Sequence, residues 1–119
     1  MHELSVCQAL LSQVAEIAAG RGATVVERIT IEVGPLSGVE PVLLASAFTI
    51  VRAGSCAAQA ALLIESTMVT IRCMSCNAQS QTEPNRLTCA VCGEFRTRIM
   101  AGDELRLRRV ELRMPEPVA

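Results

Sequence analysis

Cys73-x-x-Cys76 and Cys89-x-x-Cys92 stand twelve residues apart in a chain of 119. Each pair can present two thiolates from one tight turn. Two such knuckles complete a tetrahedral four-sulfur site, the donor set that suits Zn(II). Gly93, directly after the second pair, gives the backbone room to turn. Residues 73–92 are too few and too polar to bury a core, so a bound metal would supply much of their folding energy. Four protein ligands leave no position for a catalytic water, which points to a structural metal. Two other chemistries use the same spacing: thiol–disulfide exchange and iron–sulfur ligation.

A second group of donors opens the chain. The sequence begins MHEL, and His2 is its only histidine. The α-amine of Met1, the amide nitrogen of His2 and its imidazole Nδ1 can close two fused chelate rings on one metal. A deprotonated amide favours Ni(II) or Cu(II) in square-planar geometry over zinc. Glu3 adds a carboxylate as a fourth donor and would also permit an octahedral site. A site on an exposed terminus can be reached and can release its metal, which suits delivery more than catalysis. The competing reading is a solvated end, with Glu3 merely complementing a helix dipole. Of the remaining cysteines, Cys7 reads as a small buried hydrophobe. Cys56 has no partner at ligand spacing and receives no role.

Composition sets the frame for these groups. Half the residues are hydrophobic, but the chain holds two Phe and neither Trp nor Tyr, so its core must be aliphatic. The net charge is −1, which argues against a nucleic-acid backbone as partner. All eleven basic residues are Arg, spread along the chain. No apolar run is long enough to span a bilayer, and no basic stretch leads into an apolar one at the start. These features predict a soluble, cytoplasmic protein, where cysteines stay reduced and serve metals more often than disulfides.

The elements that would position the donors are legible from periodicity. Residues 4–19 place Leu4, Cys7, Leu11, Val14 and Ala18 on one helical face, widened by Leu10 and Ile17 and closed by Gly20 and Gly22. In VVERITIEVG, Ile29, Ile31 and Val33 alternate with Arg28, Thr30 and Glu32, as in a strand with one solvated face; Gly34-Pro35 breaks it. A second helix begins near Glu40-Pro41, with Leu44, Ala47, Phe48 and Val51 as its apolar stripe and Gly54 as its end. Residues 61–71 hold one or two strands. Leu105, Leu107, Val110 and Leu112 mark a last strand whose alternation slips at Arg108-Arg109, as at a bulge.

The expected fold is therefore α/β (α+β): a small sheet packed with two helices, plus an inserted four-cysteine zinc-ribbon module. Its organisation would be 1–70 with 104–114 as the main, nickel-binding domain, 71–103 as the zinc module and 115–119 as a flexible tail. The last strand would return to the main sheet.

MHELSVCQALL, ITIEVGPLSGVEP, CMSC…CAVC and DELRLRRVEL follow one another from Met1 to about Met114. Together they resemble the HypA/HybF family, nickel-insertion accessory proteins of nickel–iron hydrogenase maturation, some of which also serve urease. The resemblance implies nickel at Met1, His2 and Glu3 and a structural zinc at Cys73, Cys76, Cys89 and Cys92. In some members an acidic residue at the start of the second helix approaches the nickel. Glu40 occupies that position, where a helix-dipole partner before Pro41 is the competing reading. The cysteines lack the flanking histidines through which a zinc-linked pH response has been proposed for some members. The resemblance further implies a HypB-type nickel GTPase and the hydrogenase large subunit as partners, and a monomer or weak homodimer. The chain has no GxxxxGK[ST] loop, so it resembles the metal-handling adaptor rather than the GTPase, and not an enzyme. The rival function is a zinc-ribbon adaptor or nucleic-acid-binding module, against which stand the net charge, the absence of Lys and the scarcity of stacking aromatics. A third reading, an enzyme using the metal or a CxxC redox pair, meets the closed site and the single terminal histidine.

Overall fold

The computed structural model describes residues 2–115. Met1 and residues 116–119 of the expected tail lie outside the described residues. The chain runs through α1 (His2–Gly20), β1 (Val25–Val33), α2 (Pro41–Val51), β2 (Ala61–Ser66), β3 (Val69–Cys73), β4 (Gln79–Thr82), β5 (Thr97–Ala101) and β6 (Leu105–Arg113). Among the described residues no helix is long and apolar enough to cross a membrane.

The chain divides into two compact units. The first takes the residues up to Ile31, Glu40–Ile64 and those from Leu107 onward. In it α1 buries Cys7, Leu10, Leu11, Val14 and Ala18, the stripe that periodicity predicts. The helix closes with paired bonds from Ala23 N–H to the Ala18 carbonyl and from Gly22 N–H to the Ala19 carbonyl, which satisfy its last acceptors. Ile17 departs from expectation and is 40% exposed. It sits at the edge of the stripe, on an open groove with Val110 and Leu112. α2 starts as Pro at a first turn should, with Glu40 as N-cap in extended backbone. It buries Leu44, Ala47 and Phe48 and packs on α1. Cys7, Leu11, Val14, Ile29, Leu44 and Phe48 border a common interior, so Cys7 serves as packing.

The sheet order β2-β1-β6 makes β1 central and brings the last strand back beside it, as expected. Ile29, Ile31 and Val33 are buried. Thr30, expected on the solvated face, is buried as well. A short side chain on a central strand is covered by its neighbours from both sides. Arg28 is not merely solvated either: it pairs with Glu111 at 3.5 Å, and Glu27 accepts a bond from Arg113 at 2.9 Å.

The second unit comprises Glu32–Val39 and Glu65–Arg106, wider than the cysteine segment. The turn after β1 belongs here because its N–H groups find their acceptors here: Gly34 donates to the Glu104 carbonyl at 2.8 Å and Leu36 to the Gly102 carbonyl at 2.7 Å. The Glu104 carboxylate accepts from the Thr67 hydroxyl at 2.6 Å and from Gly102 N–H at 2.8 Å. Thr67 thus holds the Glu104 carboxyl below the usual carboxylate range, with Gly102 adding to the effect. The sheet is antiparallel, β4-β3-β5, with Val69, Ile71 and Cys73 of the middle strand buried. A bulge between Thr70 and Ile71 leaves Met100 as the extra residue on β5.

Candidate metal centre

The four cysteines come from two turns of the same construction. β3 ends at Cys73; Asn77 N–H donates to the Cys73 carbonyl at 3.1 Å and Cys73 N–H to the Ala78 carbonyl at 2.9 Å. In the second turn Gly93 N–H donates to the Cys89 carbonyl at 2.9 Å and Cys89 N–H to the Glu94 carbonyl at 2.9 Å. The residue after each pair sits in left-handed backbone, Asn77 at φ 63° and Gly93 at φ 76°. Asn is the side-chain-bearing residue most at ease there. Asn77 escaped the sequence reading; its signal was an Asn in the place where the second knuckle has Gly.

In each turn the first sulfur is capped by two backbone amides. Ser75 and Cys76 N–H point at Cys73 Sγ at 3.3 and 3.4 Å, and Val91 and Cys92 N–H at Cys89 Sγ at 3.3 and 3.5 Å. These donors favour the thiolate. The Cys76 amide is the foremost cause holding the Cys73 thiol below its ordinary value. The amides of Cys92 and then Val91 bring Cys89 to about 6. The second sulfurs behave oppositely. An amide at Glu94 pulls Cys92 down, but neighbouring sulfurs and burial outweigh it and push the thiol up to about 12. At Cys76 an amide from Ala78 is likewise outweighed by Cys89, burial and Cys73. Four thiolates in one place repel one another, which opposes the loss of every proton at once.

All four Sγ atoms lie within 4.8 Å of one another. Cys73 and Cys92 approach to 3.6 Å, as do Cys76 and Cys89. A tetrahedron with metal–sulfur bonds of about 2.3 Å has sulfurs about 3.8 Å apart, so the cluster fits a four-thiolate site of the kind zinc takes. Cys73 and Cys89 are buried, Cys76 and Cys92 exposed.

The other expected donors stand at the start of α1. His2 is exposed and opens the helix. Its N–H is one of the first four of α1, which have no intrahelical acceptor. Glu3 follows in the first turn, and its Oε2 faces the Glu40 N–H at 3.4 Å. That brings Glu3 to Glu40, whose own side chain makes no capping bond to α2. Met1 lies outside the described residues.

Residues 1–112 match the family described as hydrogenase/urease nickel incorporation, metallochaperone, HypA. The chain belongs to the HypA family. It is 41% identical over 112 residues to the hydrogenase maturation factor HypA of Nitrosospira multiformis, covering 94% of this chain and 97% of that one. It is 37% identical to the HypA of Aquifex aeolicus over the same shares. The solution structure of the nickel metallochaperone HypA from Helicobacter pylori aligns with a TM-score of 0.69 at 27% identity, over 95% of this chain and 98% of that one. A second HypA solution structure aligns at 0.72 and 29%, over 97% and 98%. The HypA match and the two helices with small sheets agree with the resemblance and fold class read from the sequence, and the four clustered cysteines are a group that could hold a metal ion.

Proposed function

We propose that this chain carries Ni(II) at its N-terminus for delivery to the immature large subunit of nickel–iron hydrogenase. The donors are the Met1 amine, the His2 amide nitrogen and Nδ1, and the Glu3 carboxylate, with Glu40 beside them. The observation that carries the reading is the approach of Glu3 to Glu40 next to an exposed His2. Because α1 opens at His2, deprotonating that amide breaks no helix bond. Two helix N-termini with positive dipole ends disfavour a cation, and the carboxylates of Glu3 and Glu40 offset them. A cation held in that balance can be handed over, which suits cargo.

The four cysteines hold zinc as the core of the module 71–103, and zinc supplies folding energy there rather than a reaction. The Met1–Glu3 site belongs to the domain 1–70 with 104–114. The nickel comes from a HypB-type GTPase, and the setting is the cytoplasm, where free cysteines persist. His2→Ala tests the assignment. Nickel titrated calorimetrically should no longer bind tightly, while zinc content and far-ultraviolet circular dichroism stay as in the parent. A His2→Ala protein with parental nickel affinity sinks the terminal site.

A further inference from the structure

The register of the second sheet lines up Arg98 on β5, Arg72 on β3 and Gln79 on β4 in one row. Directly opposed residues share a face, and on this one Gln81 lies two positions along β4. The other face carries the buried Val69, Ile71 and Cys73. Arg72, Arg98, Gln79 and Gln81 are all exposed. Among the described residues the side chains of Arg72 and Arg98, like those of Arg21, Arg86 and Arg109, have no ion pair or hydrogen bond, whereas Arg28, Arg96, Arg106 and Arg113 each meet a carboxylate. Of the five without a partner, only Arg72 and Arg98 stand directly opposite one another. Like charges directly opposite on neighbouring strands weaken a sheet. The unit leaves this pair uncompensated although its residues include six acidic side chains. The bulge that adds Met100 lies on the same stretch of β5, and bulges re-aim neighbouring side chains.

We propose that this face docks an acidic helix of another protein, with two carboxylates one turn apart received by Arg72 and Arg98. The spacing of directly opposed residues is nearer to that of one helical turn than to that of alternate residues on a single strand. Neighbouring strands stand about 4.8 Å apart. Side chains three or four apart on a helix are separated by about 5–6 Å, while alternate residues on a strand are about 6.6 Å apart. A guanidinium takes a carboxylate through two parallel bonds, which gives the pairing direction as well as charge. A second copy of this chain does not supply the motif: α1 carries only Glu3 and Glu16, and α2 has no acidic residue. A nucleic acid is a poor occupant, because a duplex carries one charge about every 1.7 Å and would bring further phosphates against the unit's six acidic residues, whereas a helix can present two carboxylates and no more. The surface contains none of the proposed nickel donors, so its failure would leave the nickel reading standing.

The test uses full-length, metal-loaded protein. The probe is an alanine-based helical peptide with glutamates four residues apart. It is compared with its glutamine counterpart, a hairpin peptide with glutamates two apart, and a short DNA duplex. The helical glutamate peptide should shift the amide resonances of β3 and β5 and bind best of the four. Its affinity should fall with added salt and drop about fivefold or more in Arg98→Gln and in Arg72→Gln. Arg98→Gln should melt no lower than the parent, since it removes a like-charge contact. The double variant Arg72→Glu/Arg98→Glu should prefer the lysine version of the peptide. Equal binding of the glutamate and glutamine peptides, or affinity untouched by Arg98→Gln, overturns the proposal. Tighter binding of the hairpin or the duplex overturns the acidic helix as occupant.

Discussion

Each knuckle gives its two cysteines different work. Cys73 and Cys89 are buried beneath paired amide donors, while Cys76 and Cys92 reach solvent and hold their protons against neighbouring sulfurs. A cation must displace those protons, so metal binding should release protons and weaken in acid. Cys76→Ser should abolish retention of one tightly held zinc and unfold the inserted module, while the helical signal of α1 and α2 survives. Zinc content by metal analysis and circular dichroism at 222 nm check both halves, and a Cys76→Ser protein that keeps its zinc refutes the four-cysteine assignment. Glu104 offers a separate handle. Its carboxyl is held low in the fold, first by Thr67 and then by Gly102, against about 4.3 when unfolded. Its stabilisation is therefore full above that unfolded value and is lost as pH falls through the lower folded one. Metal-free Glu104→Gln should melt below metal-free parent at neutral pH, and the gap should close on acidification below about pH 4. The cysteine spacing was open to reading because covalent order fixes it. The meeting of Glu3 with Glu40 was not, since those residues are far apart in sequence and only the packing of α1 on α2 unites them.

At the scale of elements, legibility followed burial. α1, α2 and β1 each bury a periodic set of apolar residues, β6 half-buries its own set, and periodicity revealed all four. β4 and β5 gave no such signal. QSQT has no apolar residue, and in TRIMA the extra residue of the bulge, Met100, breaks the alternation after Ile99. Both strands exist because β3 offers a register on each side and the knuckles fix their ends. The breadth of the second unit was equally hidden, because the turn after β1 joins it through backbone bonds rather than side chains. Gly34 marks that junction. A Cβ there would stand 2.2 Å from the Gly102 carbonyl oxygen, a backbone atom that cannot swing aside. Gly34→Ala should cost roughly 1–3 kcal/mol in urea unfolding. Gly20→Ala is the control: its Cβ would meet nothing within 4 Å, and the change should be neutral or slightly stabilising. Equal stability of the two variants would contradict the close approach.

At the scale of the molecule, the proposed donors divide cleanly. His2, Glu3 and Glu40 belong to the first compact unit, and the four cysteines to the second. HypA membership joins the chain to nickel incorporation, and the two proposed donor sets share no ligand, so nickel and zinc should be lost independently. The central claim is that the chain's own amine is a nickel ligand. It is tested most directly by titrating nickel into protein with an authentic, untagged Met1 and into a form extended by one residue before it. The extension moves the amine away from His2 and leaves every side chain in place. The account predicts that tight nickel binding collapses in the extended form alone, with zinc content unchanged. Equal affinity in the two forms would contradict it.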